Sequence, residues 1–388
     1  HLMERLNGNG QAIIEGSLVY NGSYIKPITG VTLEGYTGVT YDEISYENNE
    51  NAGTASYTIN GNGNYKGTIT GTFEITKATP VITVPTGIIE ITYGDTFNAS
   101  AYYEVSNNFD AAVSSIVKLG NTVINELNVG EYVVYVSVTE NDNVFGATES
   151  FILKVNPKEV VKPTNGDTVY TYNGTEQTFT ETSFANELIK VSGNKGTNVG
   201  SYTVTIELAD KANYIWKETQ NSENYTLTYE IVAFDLAKLL DSQIAINGDL
   251  TYTSKQITPT VTITFAGDTL SNTLYDLTYG TNINVADGGT ITISSLSDNF
   301  TGTKQVSFTI KQLDIKDATV TVSDQQYTGS ALKPQPTVSI DSIGQLQLTT
   351  DYTLSYSGSH TNVSDSPVTI TVTGTGNYTG TKTITFNI

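Results

Sequence analysis

The sequence predicts an all-β protein built from tandem small β-sandwich repeats. Three observations support this class: composition, strand patterning and an internal period. The 388 residues include 25 tyrosines and only 15% charged residues, and Tyr, Thr, Val and Ile suit a pleated, half-buried surface. Alternating runs such as Tyr132–Val138, Tyr202–Ile206 and Val368–Val372, bounded by Gly, Asn and Asp, are typical of strands.

An asparagine with an aromatic residue one or two positions later, here called the Asn-aromatic pair, recurs five times along the chain, and in each case a strand follows it. Successive pairs are separated by 79, 70, 86 and 78 residues, which gives a repeating unit of about 78 residues. The five instances begin at Asn64, Asn143, Asn213, Asn299 and Asn377.

An opening tyrosine, followed in most cases by a turn dipeptide, precedes each pair by 41 to 50 residues, at Tyr20, Tyr93, Tyr172, Tyr252 and Tyr327. Because the markers keep the same order, we predict five repeats after a leader or cloning remnant at residues 1–12. The predicted boundaries are 13–77, 78–156, 157–232, 233–312 and 313–388, here called repeats 1 to 5.

Two segments depart from the strand pattern. Phe234–Asp241 has a short helical pattern and Asp110–Lys118 is similarly ambiguous. Each is compatible with a single helical turn or an extended run, since short apolar segments have no decisive period.

A local motif sharpens the prediction to an immunoglobulin-like Greek key. Asn128-Val-Gly-Glu-Tyr132 and Asn198-Val-Gly-Ser-Tyr202 each precede an alternating strand, as in the tyrosine corner of such domains. Asn51–Tyr57 is a looser version. Asn284 and Asn362 occupy the same place without the tyrosine, so we expect the corner to be absent or rebuilt in repeats 4 and 5.

The strings Tyr20-Asn-Gly, Asn198-Val-Gly, Asp351–Tyr356 and Gly376–Lys382 resemble the tandem bacterial immunoglobulin-like and MBG repeats of cell-surface proteins of Gram-positive and gut-anaerobic bacteria. The resemblance covers residues 13–388. It implies stalks, spacers or adhesive tips of surface proteins, with no particular ligand. Some sandwiches of this kind carry an isopeptide bond between a lysine and an asparagine or aspartate. Lys118 and Lys190 are the candidates for such a bond here; the default interpretation is a lysine whose aliphatic stem is buried and whose charge reaches solvent.

Composition argues against several functions. A net charge of −21, with Arg5 the only arginine, disfavours nucleic acid and anionic membranes as partners. The absence of cysteine excludes disulfides and thiolate sites. The two histidines are His1 and the loop residue His360, and the acidic pairs Asp42/Glu43 and Glu140/Asp142 have no cleft-forming context. We therefore predict that the chain is not an enzyme.

Two binding possibilities remain open. Trp216 and Tyr214 are the candidate ligand-binding residues, because aromatic rings stack on sugars and Trp216 is the only indole; the periodic tyrosines favour structural roles instead. This hypothesis predicts that Trp216→Ala abolishes binding with little change in melting temperature. We predict no cofactor, although Glu140–Asn143 and Glu47–Glu50 offer oxygen ligands that calcium prefers, outside any EF-hand spacing.

The sequence thus predicts a monomeric, elongated rod of five repeats, the non-catalytic stalk or adhesin segment of an extracellular bacterial surface protein. We expect it to be a segment of a longer secreted protein that is attached through another part of the parent chain. The alternative is a module that binds a glycan or a host or extracellular-matrix protein through one repeat.

Overall fold

The computed structural model describes residues 4–164 and 168–388 and confirms the all-β class. Within these ranges the regular structure consists of short strands in small sheets and 3₁₀ turns, without an α-helix. His1 lies outside the described residues. The chain forms two compact units: one extends to Lys162 and includes Glu187–Ile189 and Glu207–Asn224, and the other contains Pro163–Asn186, Lys190–Ile206 and Tyr225–Ile388.

Repeat 1 contains two antiparallel sheets and a short parallel pair. β2 pairs with β3, β5 lies between β4 and β7, and β1 pairs in parallel with β6. Buried Ala55, Tyr57 and Ile59 alternate along β5 over Phe73 and Ile75 of β7. The strands are β1 (Glu4–Arg5), β2 (Gly10–Ile14), β3 (Ile28–Leu33), β4 (Ser45–Glu47), β5 (Gly53–Asn60), β6 (Tyr65–Lys66) and β7 (Thr68–Ile75).

The pairing of β1 and β2 corrects the predicted leader at residues 1–12. Glu4–Arg5 aligns with Tyr65–Lys66, and Gly10–Ile14 aligns with Ile28–Leu33. Backbone pairing within repeat 1 therefore includes residues of the segment that was predicted to precede it.

Repeat 2 has the longest sheet of the first unit, in the order β12-β11-β13-β14-β9, with β8·β10 opposite. Strand β13 buries alternate residues, from Tyr132 to Val138. Of the two possibilities left open for Asp110–Lys118, the structure shows the extended run, since strand β11 begins at Val113 and continues through Lys118. The elements are β8 (Val81–Thr83), β9 (Ile89–Thr92), a 3₁₀ turn (Ala99–Ala101), β10 (Glu104–Ser106), β11 (Val113–Leu119), β12 (Thr122–Val123), β13 (Gly130–Val138) and β14 (Ala147–Asn156).

Repeat 3 contributes residues to both compact units. A parallel pair, β15·β21, belongs to the first, and the sheet β16-β22-β20-β18 and the pair β17·β19 lie almost entirely in the second. The elements are β15 (Lys158–Val160), β16 (Val169–Thr171), β17 (Gln177–Thr178), a 3₁₀ turn (Thr182–Ala185), β18 (Ile189–Ser192), β19 (Lys195–Gly196), β20 (Gly200–Leu208), β21 (Tyr214–Trp216) and β22 (Tyr225–Val232).

Repeats 4 and 5 share one topology: a parallel pair, then two antiparallel three-stranded sheets. Of the two possibilities left open for Phe234–Asp241, the structure shows the helical turn, because Leu236–Lys238 forms a 3₁₀ turn capped by the Asp235 side chain. In repeat 4 the elements are β23 (Phe234–Asp235), 3₁₀ turns (Leu236–Lys238, Asp241–Gln243), β24 (Ile244–Asn247), β25 (Thr260–Phe265), β26 (Asp268–Thr269), β27 (Tyr275–Tyr279), β28 (Gly289–Ser295), β29 (Phe300–Thr301) and β30 (Thr303–Phe308).

The matching elements of repeat 5 again bury alternate residues, such as Val368, Ile370 and Val372 on its central strand. They are β31 (Leu313–Asp314), a 3₁₀ turn (Ile315–Asp317), β32 (Thr319–Thr321), β33 (Thr337–Ile340), β34 (Gly344–Gln345), β35 (Tyr352–Tyr356), a 3₁₀ turn (Val363–Asp365), β36 (Val368–Gly374), β37 (Tyr378–Thr379) and β38 (Thr381–Phe386).

Candidate functional site

The asparagine of each Asn-aromatic pair, from repeat 2 onward, bonds to a turn of the preceding repeat. The Val129 N–H donates to Oδ1 of Asn213 (2.9 Å), and Nδ2 of Asn213 donates to Oδ1 of Asn128 (3.0 Å). One amide thus uses its acceptor and a donor on a single turn. We call this pair of bonds the asparagine clasp. The other clasps join Asn143 to Asn51 and Ala52, Asn299 to Asn198 and Val199, and Asn377 to Asn284 and Val285, with distances of 2.8–3.3 Å.

The opening tyrosine adds a ring contact beside each clasp. The Tyr252 ring meets the Tyr378 ring edge-on, with centroids 5.3 Å apart and planes at 77°. Such edge-on pairs contribute about 0.5–1.5 kcal/mol beyond their buried area. Tyr93 meets Tyr214 at 5.4 Å and Tyr172 meets Phe300 at 5.3 Å in the same geometry.

At the junction between repeats 1 and 2, the opening tyrosine contacts an aromatic ring from a different loop of repeat 2. Val144, not an aromatic residue, follows Asn143, and Tyr20 packs edge-on against Phe109 at 5.0 Å instead. At every junction, three residues of the preceding repeat make these contacts: the opening tyrosine, the turn asparagine and the residue that follows this asparagine. We call these three residues the turn face of a repeat.

The tyrosine corner predicted from sequence is confirmed where its motif is complete. The Tyr132 hydroxyl donates to the Asn128 carbonyl (2.8 Å) and the Tyr202 hydroxyl to the Asn198 carbonyl (2.7 Å). Each corner thus anchors the turn asparagine that the next repeat clasps. In repeats 4 and 5 the turns at Asn284 and Asn362 have no such tyrosine; Tyr279 and Tyr356 donate instead to the carbonyls of Pro259 and Pro334, away from these turns.

A glycine closes three of the Asn-aromatic loops for a steric reason. Gly302 and Gly380 have positive φ, and any side chain there would collide with the carboxylates of Asp235 and Asp314. Those carboxylates accept the N–H groups of Ala237 and Lys316 and so cap the 3₁₀ turn that begins each repeat. Gly67 meets Asn7 in the same way.

Sequence reasoning missed a second structural asparagine in the loop before the turn face. Asn282 is buried; its carbonyl accepts the Ile257 N–H (2.9 Å) and its amide donates to the Ile257 carbonyl (3.2 Å). Asn49 and Asn194 make the same exchange in repeats 1 and 3. In repeat 5 the position belongs to His360, whose carbonyl accepts the Leu332 N–H (2.9 Å). His360 therefore holds a structural position in the loop.

The structure corrects the prediction of an exposed aromatic platform at Trp216. Trp216 is 0% exposed, and its Nε1–H donates to the Glu223 carbonyl at 2.7 Å. Tyr214 is half-buried beneath Tyr93 of repeat 2. A sugar cannot stack on a covered indole. Trp216→Ala should instead lower the unfolding free energy of repeat 3 by about 3–5 kcal/mol, as other buried aromatic truncations do.

The predicted acidic loops contribute polar contacts near the first junction. Glu140 binds Lys77 (2.7 Å), which by its hydrogen bond and charge lowers the pKa of the Glu140 carboxyl. Lys118, an isopeptide candidate, lies over the Tyr135 ring at 5.1 Å. Within residues 4–164 and 168–388, no cluster of three or more His, Cys, Asp or Glu side chains could hold a metal ion. Calcium binding stays a prediction.

No helix in the described part of the chain is long and apolar enough to cross a membrane. No protein-family model matches the sequence, and no curated protein matches it either.

Solved structures of multi-domain β proteins give distant matches. A Bacteroides ovatus mixed-linkage glucan utilization protein, SGBP-B, is 13% identical over 64% of this chain and 73% of its own, with a TM-score of 0.17. The surface layer protein SbsC, domains 4–9, is 13% identical over 98% and 67%, at 0.19. Drosophila N-cadherin EC1-4 is 12% identical over 78% and 98%, at 0.16. Scores this low carry no conclusion about function.

Proposed function

We propose that this chain is a non-catalytic structural segment, a stalk or adhesin region, of an extracellular bacterial cell-surface protein. The observation that carries the proposal is the fourfold asparagine clasp with its edge-on ring contact. The chain repeats one junction design while the core sequences of its repeats differ. Reuse of a junction is what a spacer needs, because each repeat must hold the next in a fixed way.

The chemistry of the clasp supports a mechanical role. Carboxamides carry no charge and do not titrate near neutral pH, so the clasp cannot serve as a general acid or base. Its bonds are also insensitive to screening by salt, unlike ion pairs. A net charge of −21 keeps neighbouring molecules apart in solution.

Small-angle scattering tests the stalk proposal. Five sandwiches of roughly 30–40 Å placed end to end would give a maximum dimension on the order of 150–200 Å, taking about 3.3 Å per residue along a strand. A compact particle would overturn the proposal. The double variant Asn213→Ala/Asn299→Ala should broaden the distance distribution by loosening two junctions, while Asn64→Ala, outside any clasp, serves as the matched control.

The alternative, binding of a glycan or host protein, is favoured by one surface of repeat 2. Tyr102 is 36% exposed, and Phe97 stacks on it at 5.6 Å. Tyr102, Ser100 and Glu104 line an open groove of about 670 Å³. A half-exposed ring next to hydroxyl and carboxylate groups can combine sugar stacking with hydrogen bonding.

A screen against immobilised glycans and matrix proteins, with and without calcium, tests this alternative. Saturable binding that Tyr102→Ala abolishes and the exposed-tyrosine control Tyr24→Ala preserves would establish repeat 2 as a binding module. Absence of binding at high micromolar protein, or binding indifferent to Tyr102→Ala, would eliminate this groove as the site. Calcium dependence in the same screen would test the untested metal prediction.

A further inference from the structure

We propose that the outer face of the five-stranded sheet in repeat 2 packs against the same face of a second copy of this chain, so that two copies form a symmetric pair. The outer face is the side of the sheet β12-β11-β13-β14-β9 that points away from the core of the repeat. The proposal goes beyond the stalk function, because it adds a contact between molecules.

Four apolar side chains form a band across the central strands of this face. Strand β13 buries alternate residues toward the core, so Val133 and Tyr135, which lie between them, are on the outer face. The strand register places Val133 beside Ile152 of β14 and Tyr135 beside Ile116 of β11. The band therefore crosses three adjacent strands.

The band continues to both edges of the sheet. Val123 of β12 lies on the outer face beside Lys118, and Ile88, one residue before β9, alternates onto this face next to Ile152. Four of the aliphatic side chains in the band are between 37% and 52% exposed: Ile88, Ile116, Val123 and Ile152. A contiguous exposed apolar patch of this kind marks an interaction site.

The other four repeats carry hydroxyl side chains at the equivalent positions. Tyr135 is replaced by a threonine in each of them: Thr58, Thr205, Thr292 and Thr371. The cross-strand pair Val133–Ile152 is replaced by pairs of serine and threonine: Ser56–Thr72, Thr203–Thr228, Thr290–Ser307 and Thr369–Thr385. The same sheet forms with polar residues at these positions, so folding does not require the apolar band of repeat 2.

The charges on the outer face identify the second copy as the occupant. Lys154 lies between Glu131 of β13 and Glu90 of β9, and Lys118 lies over the Tyr135 ring at 5.1 Å. The paired positions of this face thus hold two glutamates and two lysines, although the chain carries a net charge of −21. A two-fold contact brings one surface against itself, and a surface with balanced charge can complement itself.

A two-fold axis that runs along the strands, between β13 and β14, satisfies the apolar and the charged positions together. It sets Val133 of each copy against Ile152 of the other, because these residues are neighbours across that axis. It sets Glu131 of each copy against Lys154 of the other for the same reason. Sheets that pack face to face in this way lie about 10 Å apart.

The contact is weak. Five strands at about 4.8 Å spacing and six to seven residues per strand give a face of roughly 400 Å², about half of the area that each partner contributes to a stable interface. The net charge of −21 on each copy also opposes the contact at long range. Dimers should therefore become more abundant with protein concentration and with salt.

Sedimentation equilibrium of the full chain in about 0.5 M NaCl, which screens the long-range repulsion, tests the proposal. The weight-average mass should rise with concentration toward that of a dimer and no further. The variant Val133→Thr/Ile152→Thr copies the pair Thr203–Thr228 of repeat 3, so its melting temperature should stay close to that of the native chain. Its dimer dissociation constant should increase by about tenfold, because the contact loses buried carbon atoms.

Two exposed leucines of repeat 4 provide the matched control. Leu240 and Leu296 are both exposed and lie outside the outer face of repeat 2. Leu240→Thr/Leu296→Thr should dimerise as the native chain does. An equal loss of dimers in this variant would mean that exposed apolar residues associate without regard to position, which would overturn the proposal.

A charge exchange at about 0.15 M NaCl tests the symmetry of the contact. Glu131→Lys lowers the net negative charge, yet it should weaken the dimer, because the new lysine faces Lys154 of the other copy. Adding Lys154→Glu to the same chain should restore dimerisation. Stronger association of Glu131→Lys, or no restoration in the double variant, would overturn the proposed arrangement.

The remaining outcomes also decide the matter. A native chain that stays monomeric throughout would overturn the docking proposal and leave the stalk proposal, which scattering tests, intact. Assemblies larger than dimers would overturn it too, since a two-fold contact closes on itself. A monomeric chain that binds a glycan, and loses that binding in Val133→Thr/Ile152→Thr, would assign the face to the glycan instead.

Discussion

The turn faces of repeats 4 and 5 are built from equivalent residues, yet the structure covers only one of them. Tyr252 and Val285 in repeat 4 are half-buried against Asn377 and Tyr378 of the following repeat. In repeat 5 the equivalent Tyr327 and Val363 are exposed. The comparison indicates that the opening tyrosine helps to join repeats, because it is half-buried at each of the four junctions that the structure describes.

The largest expected effect concerns the most buried clasp. Asn213 is 6% exposed, and besides its clasp it donates to Asp210 (2.8 Å). Asn213→Ala should cost about 2–4 kcal/mol, since it leaves buried partners unsatisfied. Denaturant unfolding followed by the fluorescence of Trp216, the only tryptophan, reports on this repeat directly.

Asn64→Ala is the matched control on the uncovered side, and circular dichroism should show a change within about 0.5 kcal/mol, as for most surface substitutions. Equal losses of unfolding free energy in Asn213→Ala and Asn64→Ala would show that the clasp of Asn213 does not contribute to stability.

Removal of the opening tyrosine should have the next largest effect. Tyr252→Ala deletes a half-buried ring and its edge-on contact, with an expected cost of about 1–3 kcal/mol. Tyr327→Ala should leave the unfolding free energy within about 0.5 kcal/mol. Hydrogen exchange of the Tyr378 loop locates the effect: it should accelerate in the first variant only. Faster exchange in both would mean that these tyrosines support their own repeat, not the junction.

Alkaline pH provides a third test of the covered face. Burial, and then the neighbouring Tyr252, raise the pKa of the Tyr378 hydroxyl. The folded state therefore holds this proton more tightly than the unfolded state, so the stability concerned is complete below about pH 10 and is lost as the pH rises further.

In melting curves recorded from pH 8 to 11, Tyr378→Phe should reduce this alkaline loss, because phenylalanine keeps the ring without an ionising group. Tyr327→Phe, on the uncovered face, should match the native chain. Parallel curves for the native chain and Tyr378→Phe would contradict the prediction.

The smallest effect is expected at Lys77, beside the first junction. Lys77→Ala should return the pKa of Glu140 toward its ordinary value, as measured by carboxyl NMR titration. Because the folded pKa is depressed, the contribution of this ion pair is present above about pH 4.5 and disappears as the pH falls. Both groups are solvent-accessible, so added salt should reproduce most of the change. A titration unaltered by the substitution would exclude Lys77 as the cause.

The sequence was sufficient for the strand-rich fold, the five markers and the tyrosine corners at Tyr132 and Tyr202, since each is a local pattern. It was not sufficient for the role of those markers. Asn213 meets Asn128 across 85 positions, and no local period reveals a contact between repeats. The burial of Trp216 was hidden for a similar reason: the strand and carbonyl that cover it are set by tertiary packing.

His360 shows the same limit. A lone histidine in a polar loop gave no sign that it occupies the place of Asn49, Asn194 and Asn282 in repeats 1, 3 and 4, because the shared feature is one backbone hydrogen bond, here from the Leu332 N–H, and not a side-chain type.

The asparagine clasp also has a genetic consequence. Each junction depends on two short segments that every repeat carries, one on its turn face and one in its Asn-aromatic loop. Duplication or loss of a whole repeat by recombination therefore creates a new junction from parts already matched, with no compensating substitutions. Clasped repeats can therefore change in number while the repeats themselves diverge in sequence.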